Sequence, residues 1–243
     1  MDITVSHVHK SFDKVPVIQD ISLTIPSGNI TCFLGPSGSG KTTLIRLIIG
    51  ATHADEGSVS FAETKMPNME LLKKIGFMPQ NDALYPDLSA EANLHFFSGL
   101  YAMEKSHLAA RIEHVLQLVE LTADRKKLVK HYSGGMKKRL SLAIALLHEP
   151  DFLFLDEPTV GIDPVLRRTI WQQFQAFKNS GTTIIISTHV MEEVLECDVA
   201  ALIYNGSLIE YGSVTELVEK TENGRIEELF LSAASHQKAG NVT

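Results

Sequence analysis

The sequence predicts an α/β fold, a mixed or parallel sheet wrapped by helices, with an N-terminal antiparallel β-rich part and an inserted helical subdomain. Three observations carry this prediction. The first stretch, Ile3–Lys10 and Val17–Ile25, alternates polar and apolar at the strand period. A block from Ser89 to His148, roughly 60 residues, shows three- and four-residue apolar spacing with almost no strand signal. After it, short apolar runs alternate with helix-period segments, the pattern of a parallel sheet covered by helices.

Ile3–Lys10 and Val17–Ile25 read as strands joined across the polar turn Asp13-Lys14. Pro26-Ser27-Gly28-Asn29 is a turn, and Ile30–Leu34 is an almost wholly apolar strand suited to burial on both faces. Thr42–Ile49 has helical spacing, and Ser58–Phe61 and Lys74–Met78 read as strands. Ser89 is placed to cap a helix with Glu91 in its first turn, where a carboxylate opposes the positive helix end. Leu94, Phe97, Leu100, Tyr101, Ile112, Val115, Leu116 and Val119 continue the helical period. Phe152–Leu155, Thr182–Ser187 and Val199–Tyr204 read as strands, with helices over Pro164–Lys178 and Val190–Glu196. The expected organisation is one domain over 1–230: a core of 1–80 and 150–212, a helical subdomain over 81–149, and a flexible tail at 231–243.

Composition narrows the class. Of 243 residues, 44% are hydrophobic and 21% charged, a globular balance that excludes disorder, collagen and coiled coil. Net charge is −7, from 22 Lys and Arg against 29 Asp and Glu, which argues against nucleic acid as a partner bound by net charge. Cys32 and Cys197 can form neither a disulfide framework nor a four-ligand metal site alone, and read as reduced thiols. No apolar run of about 18 residues is present, and the first residues lack a basic stretch followed by an apolar one. A cytoplasmic location is expected, with any membrane role supplied through a partner.

Gly35-Pro36-Ser37-Gly38-Ser39-Gly40-Lys41-Thr42 follows the buried strand and opens a helix with Thr42 and Thr43. It fits G-x-x-x-x-G-K-[ST], the phosphate-binding P-loop. The glycines let backbone N–H groups turn inward around phosphate oxygens, and the helix N-terminus adds its positive end. Lys41 is expected at the β- and γ-phosphates of ATP and the Thr42 hydroxyl on Mg²⁺. The fold expected is therefore a P-loop NTPase core. Phe152-Leu153-Phe154-Leu155 ends in Asp156-Glu157. A doubly buried strand carries charge where it emerges into a site, so Asp156 is expected to hold Mg²⁺ through water and Glu157 to act as general base.

Tyr132-Ser133-Gly134-Gly135-Met136-Lys137-Lys138-Arg139 supplies a second helix N-terminus opened by glycines and capped by Ser133, a second anion site. With this segment the chain resembles the ATP-binding subunit of an ABC transporter over nearly its whole length. The resemblance implies that Phe12 stacks on adenine, that Gln80 senses Mg²⁺ and the attacking water, and that Ser133, Gly134 and Gly135 bind nucleotide. It also implies that Asp163 closes the nucleotide-contacting loop Val160-Gly161-Ile162-Asp163, and that His189 contacts the γ-phosphate. Two departures stand out. The family's commonest signature is Leu-Ser-Gly-Gly-Gln, where this chain has Tyr132 and Met136. The commoner Ser-Ala-Leu-Asp is replaced by Val160-Gly161-Ile162-Asp163. Both variants, with the closing 224–230 segment, resemble the drug- and lipid-exporting branch that includes daunorubicin-resistance-like ATPases.

A loop that already uses its own helix N-terminus has no need of a second in the same pocket. The expected partner is thus a second copy, paired head to tail, each ATP lying between one copy's Lys41 loop and the other's Ser133 helix. A separate membrane permease is the other expected partner, docking at Leu84 and Tyr85 after Gln80 and holding the chain peripherally on the inner face of the membrane. A soluble ABC ATPase, an importer ATPase and a nucleotide-gated binding module stand as alternatives.

Overall fold

The computed structural model describes residues 1–101 and 103–232; most of the expected tail lies outside this range, and Leu231 and Ser232 close a helical stretch that starts at 227. The chain forms two compact units, Met1–Asn68 with the residues from Ile185 onward, and Met69–Ile184. Motif order places the inserted helices at 81–149, and the unit Met69–Ile184 extends beyond that segment on both sides.

In the first unit β1 (Ile3–Phe12) and β2 (Val15–Ile25) form an antiparallel hairpin. Its turn residues Asp13 and Lys14 both have positive φ, 48° and 67°, which matches the right-handed twist of the strands. Ile3, Val5 and Val8 face the core with Ile18, Ile21, Leu23 and Ile25. Register shifts after Val5 and Val8 break the strict alternation. All five residues of β3 (Ile30–Leu34) are buried, and α1 (Lys41–Ile48) buries Leu44, Ile45, Leu47 and Ile48. β4 (Glu56–Phe61) pairs with β1, and the short β5 (Thr64–Lys65) pairs with β4. The sheet order is β2-β1-β4-β5.

The second unit opens with α2 (Met69–Leu72) and β6 (Ile75–Met78). α3 (Ala90–Leu100) is capped by Ser89, whose hydroxyl accepts from Ala92 N. α4 (Lys105–Leu118), a 3-10 turn at Val129–His131 and α5 (Gly134–Leu146) complete the helical part. Arg125 pairs with Glu91 and Glu113, so one guanidinium ties α3 and α4 to the connecting segment. β7 (Phe152–Asp156) is wholly buried and runs parallel to β6, and α6 (Pro164–Asn179) follows it. Helix α5 lies so close to β6 that a Cβ on Gly76 would sit 2.2 Å from the Ala145 carbonyl oxygen.

β8 (Thr183–Thr188) leads the chain back into the first unit, followed by α7 (Met191–Val194) and β9 (Val199–Tyr204). β10 (Ser207–Ser213) and α8 (Val214–Glu219) close the described elements. The strand order there is β10-β9-β3-β8. β3 and β9 are parallel, from Thr31 opposite Val199 to Leu34 opposite Leu202, while β10 is an antiparallel edge strand. The sheet is therefore mixed. Asp198 Oδ2 accepts from Ile30 N at 2.8 Å and fixes the start of β3.

Candidate nucleotide-binding and hydrolysis site

The loop between β3 and α1 is built within the first unit. Gly35 is required by close approach, because a Cβ there would stand 2.1 Å from the Ile203 carbonyl oxygen. Pro36, Ser37 and Gly38 are exposed at the loop tip. Gly40, with φ 105°, caps α1 with no side-chain hydrogen bond. The first N–H groups of the helix thus stay directed into the loop, the arrangement that favours anions. Lys41 is buried, and its Nζ donates to the carbonyls of Gly35 at 2.8 Å and Pro36 at 3.0 Å. Its charge is held inside the loop rather than in solvent. The Ser39 hydroxyl is buried and lacks a hydrogen-bond partner among the described residues. An anion in the loop would supply that partner. Thr42 and Thr43 follow in the first turn of α1, both half-buried.

Phe12, at the end of β1, is 47% exposed, with Lys10 Nζ 5.3 Å from its ring centroid. A ring this exposed is available for stacking. His189 is exposed just beyond β8. Thr188 before it is clamped: its carbonyl accepts from Gly35 N at 3.3 Å, and its Oγ1 donates to buried Glu193 Oε2 at 2.6 Å. Val190 N donates to that same Thr188 oxygen at 3.0 Å. The phosphate loop and the His189 turn thereby share one anchor. Glu193 was not singled out by sequence, although it lies one helical turn beyond His189.

In the second unit β7 delivers Asp156 and Glu157, both buried, with 1% and 8% exposure. Glu157 adopts φ 53°, a left-handed conformation that a side chain disfavours. Gln80, two residues beyond β6, donates its Nε2 to Glu157 Oε2 at 3.1 Å. Lys138 Nζ on α5 donates to the Glu157 carbonyl at 3.0 Å. Lys138 is a second residue that sequence reading passed over, as one charge in a basic run. Asp156 and Gln80 in this unit, like Thr42 in the first, each carry an oxygen donor, the chemistry a hard cation such as Mg²⁺ requires. Among the described residues no group of three or more His, Cys, Asp or Glu is placed to hold a metal ion.

Ser133 caps α5, its hydroxyl accepting from Met136 N at 3.2 Å, and Ser133 and Gly134 are exposed. A Cβ on Gly135 would meet the Gly161 carbonyl oxygen at 3.3 Å. Tyr132, in place of the commoner Leu, is buried and donates its hydroxyl to the Asp124 carbonyl at 2.8 Å. Burial, with the Asp124 charge, pushes its phenol up to about 12, so it stays a donor. Asp163 spends one carboxylate oxygen as the N-cap of α6, accepting from Leu166 N at 3.0 Å.

A buried strand, a glycine-opened loop with an internal lysine and a helix N-terminus, with a strand ending in two acids, define a P-loop nucleoside-triphosphatase fold. Residues 18–160 match the ABC transporter family, and the chain belongs to it. ABC transporter G family member 20 of Dictyostelium discoideum is 37% identical over 99% of this chain and 33% of its own length. The linearmycin resistance ATP-binding protein LnrL of Bacillus subtilis is 35% identical, covering 93% of this chain and 74% of that protein. A Nod factor export ATP-binding protein I of Burkholderia lata is 36% identical over 88% of this chain and 71% of its own. The chain thus spans a third of the Dictyostelium relative and about seven-tenths of the bacterial ones. A solved ATP-binding subunit of an ABC transporter superposes with TM-score 0.86 at 22% identity, covering 96% of this chain and 99% of that one, which establishes the fold.

Proposed function

We propose that this chain is the ATP-hydrolysing subunit of an ABC exporter, working as a head-to-tail pair that drives a separate membrane permease. The observation that carries this reading is the second exposed, glycine-opened helix N-terminus, at Ser133 and Gly134 of α5, alongside a loop that already uses α1. In the pair, Lys41 and the 35–42 amides of one copy hold the triphosphate, and Ser133 with the first amides of α5 reach it from the other. Such a site exists only when the copies meet, so mass action turns nucleotide binding into closure.

The residues divide the work. Lys41 exchanges its loop carbonyls for phosphate oxygens. Thr42, Asp156 and Gln80 would hold Mg²⁺, which when bound neutralises charge on the phosphates. Glu157 takes a proton from the attacking water, and Gln80, hydrogen-bonded to its carboxylate, keeps that oxygen oriented. His189 donates toward the γ-phosphate. The fixed N–H groups of both helix ends stabilise the charge that develops on the transferring phosphoryl group. Once that group leaves, the link between copies is lost and they part.

Export is supported by the relative named for Nod factor export. No helix among the described residues is long and apolar enough to cross a membrane. In this reading the chain acts from the cytoplasmic face through its permease. Sedimentation velocity of the Glu157→Gln variant at saturating magnesium-ATP tests the pair: twice the monomer mass is expected, and single copies alone would reject it.

A further inference from the structure

Glu157 is held through its main chain as well as through its carboxylate. Its backbone lies at φ 53°, a conformation that a side-chain-bearing residue disfavours and that persists only where the surroundings fix it. The surroundings here include Lys138. That residue sits on α5, just over one turn past the Ser133 cap, and its Nζ donates to the Glu157 carbonyl at 3.0 Å. The bond is charge-assisted and half-buried, the class of hydrogen bond roughly twice as strong as a neutral one.

We propose that Lys138 is a positioning residue for the Glu157 base. By fixing the peptide that follows Glu157, it holds the residue in its left-handed conformation, and this aims the carboxylate that Gln80 orients at the attacking water. The proposal rests on Glu157 being the base. It gives the basic position within the signature helix a role in the same chain's hydrolysis, apart from the phosphate contacts of Ser133 and Gly135.

The test is a double-mutant cycle on the full chain with ATP hydrolysis, KM for ATP and equilibrium nucleotide affinity as readouts. Lys138→Met should lower kcat about tenfold or more while KM and affinity stay within about twofold, the pattern of an interaction expressed in the transition state. Lys138→Arg, which keeps a charged donor, should recover most of the loss. In a Glu157→Gln background, Lys138→Met should change the residual rate by less than about twofold, because the group it positions is gone. A full, independent loss in that background, or an unchanged kcat for Lys138→Met, would overturn the proposal. Lys138→Gln, polar and of similar length, carries the same expectations should the Met variant misfold. If Glu157→Gln alone hydrolyses ATP at the native rate, the base assignment itself has failed, and the proposal with it, a result the single variant reveals separately.

Discussion

The Gln80 side-chain amide donates to the Glu157 carboxylate, Nε2 to Oε2 at 3.1 Å, across a sequence separation of 77. Sheet register is the cause. β6 and β7 run parallel with Met78 opposite Leu155, so two residues on from that pair Gln80 comes to lie opposite Glu157. The candidate sensor and the candidate base are thus paired by the strands that carry them.

Changing Glu157 to Gln keeps the shape of this pair and removes the proton acceptor. Turnover should fall by about 10²–10⁴-fold, the span of general-base catalysis, while ATP affinity changes little. Phosphate release and equilibrium binding of a fluorescent ATP analogue measure the two quantities separately. Loss of binding in step with turnover would move Glu157 from the chemistry to the architecture.

Gly35 tests the loop by packing alone. With a Cβ at 2.1 Å from the Ile203 carbonyl oxygen, Gly35→Ala must displace main chain, not a flexible side chain. Overpacking of this kind costs about 1–3 kcal/mol. For a domain of this size that lowers the melting temperature by roughly 2–4 °C per kcal/mol. Thermal unfolding followed by circular dichroism gives the value, and an unaltered midpoint would show that the loop is not packed against β9 in this way.

Local chemistry made much of this molecule legible and register made the rest opaque. The loop at 35–42 could be read because every part of it is contiguous, and the caps at Ser89 and Ser133 because each acts within one turn. The β9–β10 hairpin was also legible, from Asn205-Gly206 with φ 48° and 78°, a turn signal flanked by apolar residues that passed unread. Lys138 and Glu193 were not legible. Each reaches its partner from another element, and a lysine among basic residues or a glutamate beside another gives no sign of burial. Tyr132 read only as a departure from Leu, until the Asp124 carbonyl showed what its hydroxyl does.

Tyr132→Phe isolates that hydroxyl. The ring keeps its place and the bond to Asp124 is lost, a cost of about 0.5–1.5 kcal/mol. The urea midpoint should fall accordingly with the m-value unchanged. An unaltered midpoint would mean that the hydroxyl contributes nothing to holding α5 against the segment before it.

His148 gives the second unit a pH dependence. Its ring stacks on Tyr101 at 3.6 Å between centroids, and Nε2 donates to the Ile75 carbonyl at 3.1 Å in the neutral tautomer. Nδ1 is buried and lacks a partner among the described residues, so a proton there would be a donor with no acceptor. Burial, with Arg111 nearby, lowers its pKa from 6.5 to about 4. Above 6.5 both states carry a neutral ring and nothing is lost. As pH falls below 6.5 the unfolded chain takes up a proton that the folded one refuses, and stability drops until about 4. The loss is about 2 kcal/mol by pH 5. Urea unfolding at pH 7.5 and 5.0 should show this fall in the native chain and a smaller one in His148→Phe, which keeps the stack; equal falls would exonerate His148.

The proposed permease-docking face is the loop that follows Gln80. Tyr85 is 44% exposed, with its ring edge-on to Phe96 at 4.5 Å and Phe97 beyond, while Asn93 bonds the Tyr85 N–H and carbonyl through one side chain. The loop after Gln80 is therefore held to α3 and presents a fixed apolar face, with Phe96 equally exposed beside it. Leu84 lines a neighbouring cavity of about 280 Å³ with Gln80, Asp82 and Lys137, so a segment seated there would adjoin the residue that holds Glu157. Introducing a carboxylate, Leu84→Glu or Tyr85→Glu, would bury an unpaired charge under that segment, at a cost of about 2–5 kcal/mol. Recovery of the permease with tagged chain from detergent extracts should fall at least tenfold, and the ratio of permease-stimulated to basal hydrolysis should approach one. An undiminished ratio in both variants would place the permease contact elsewhere on the chain.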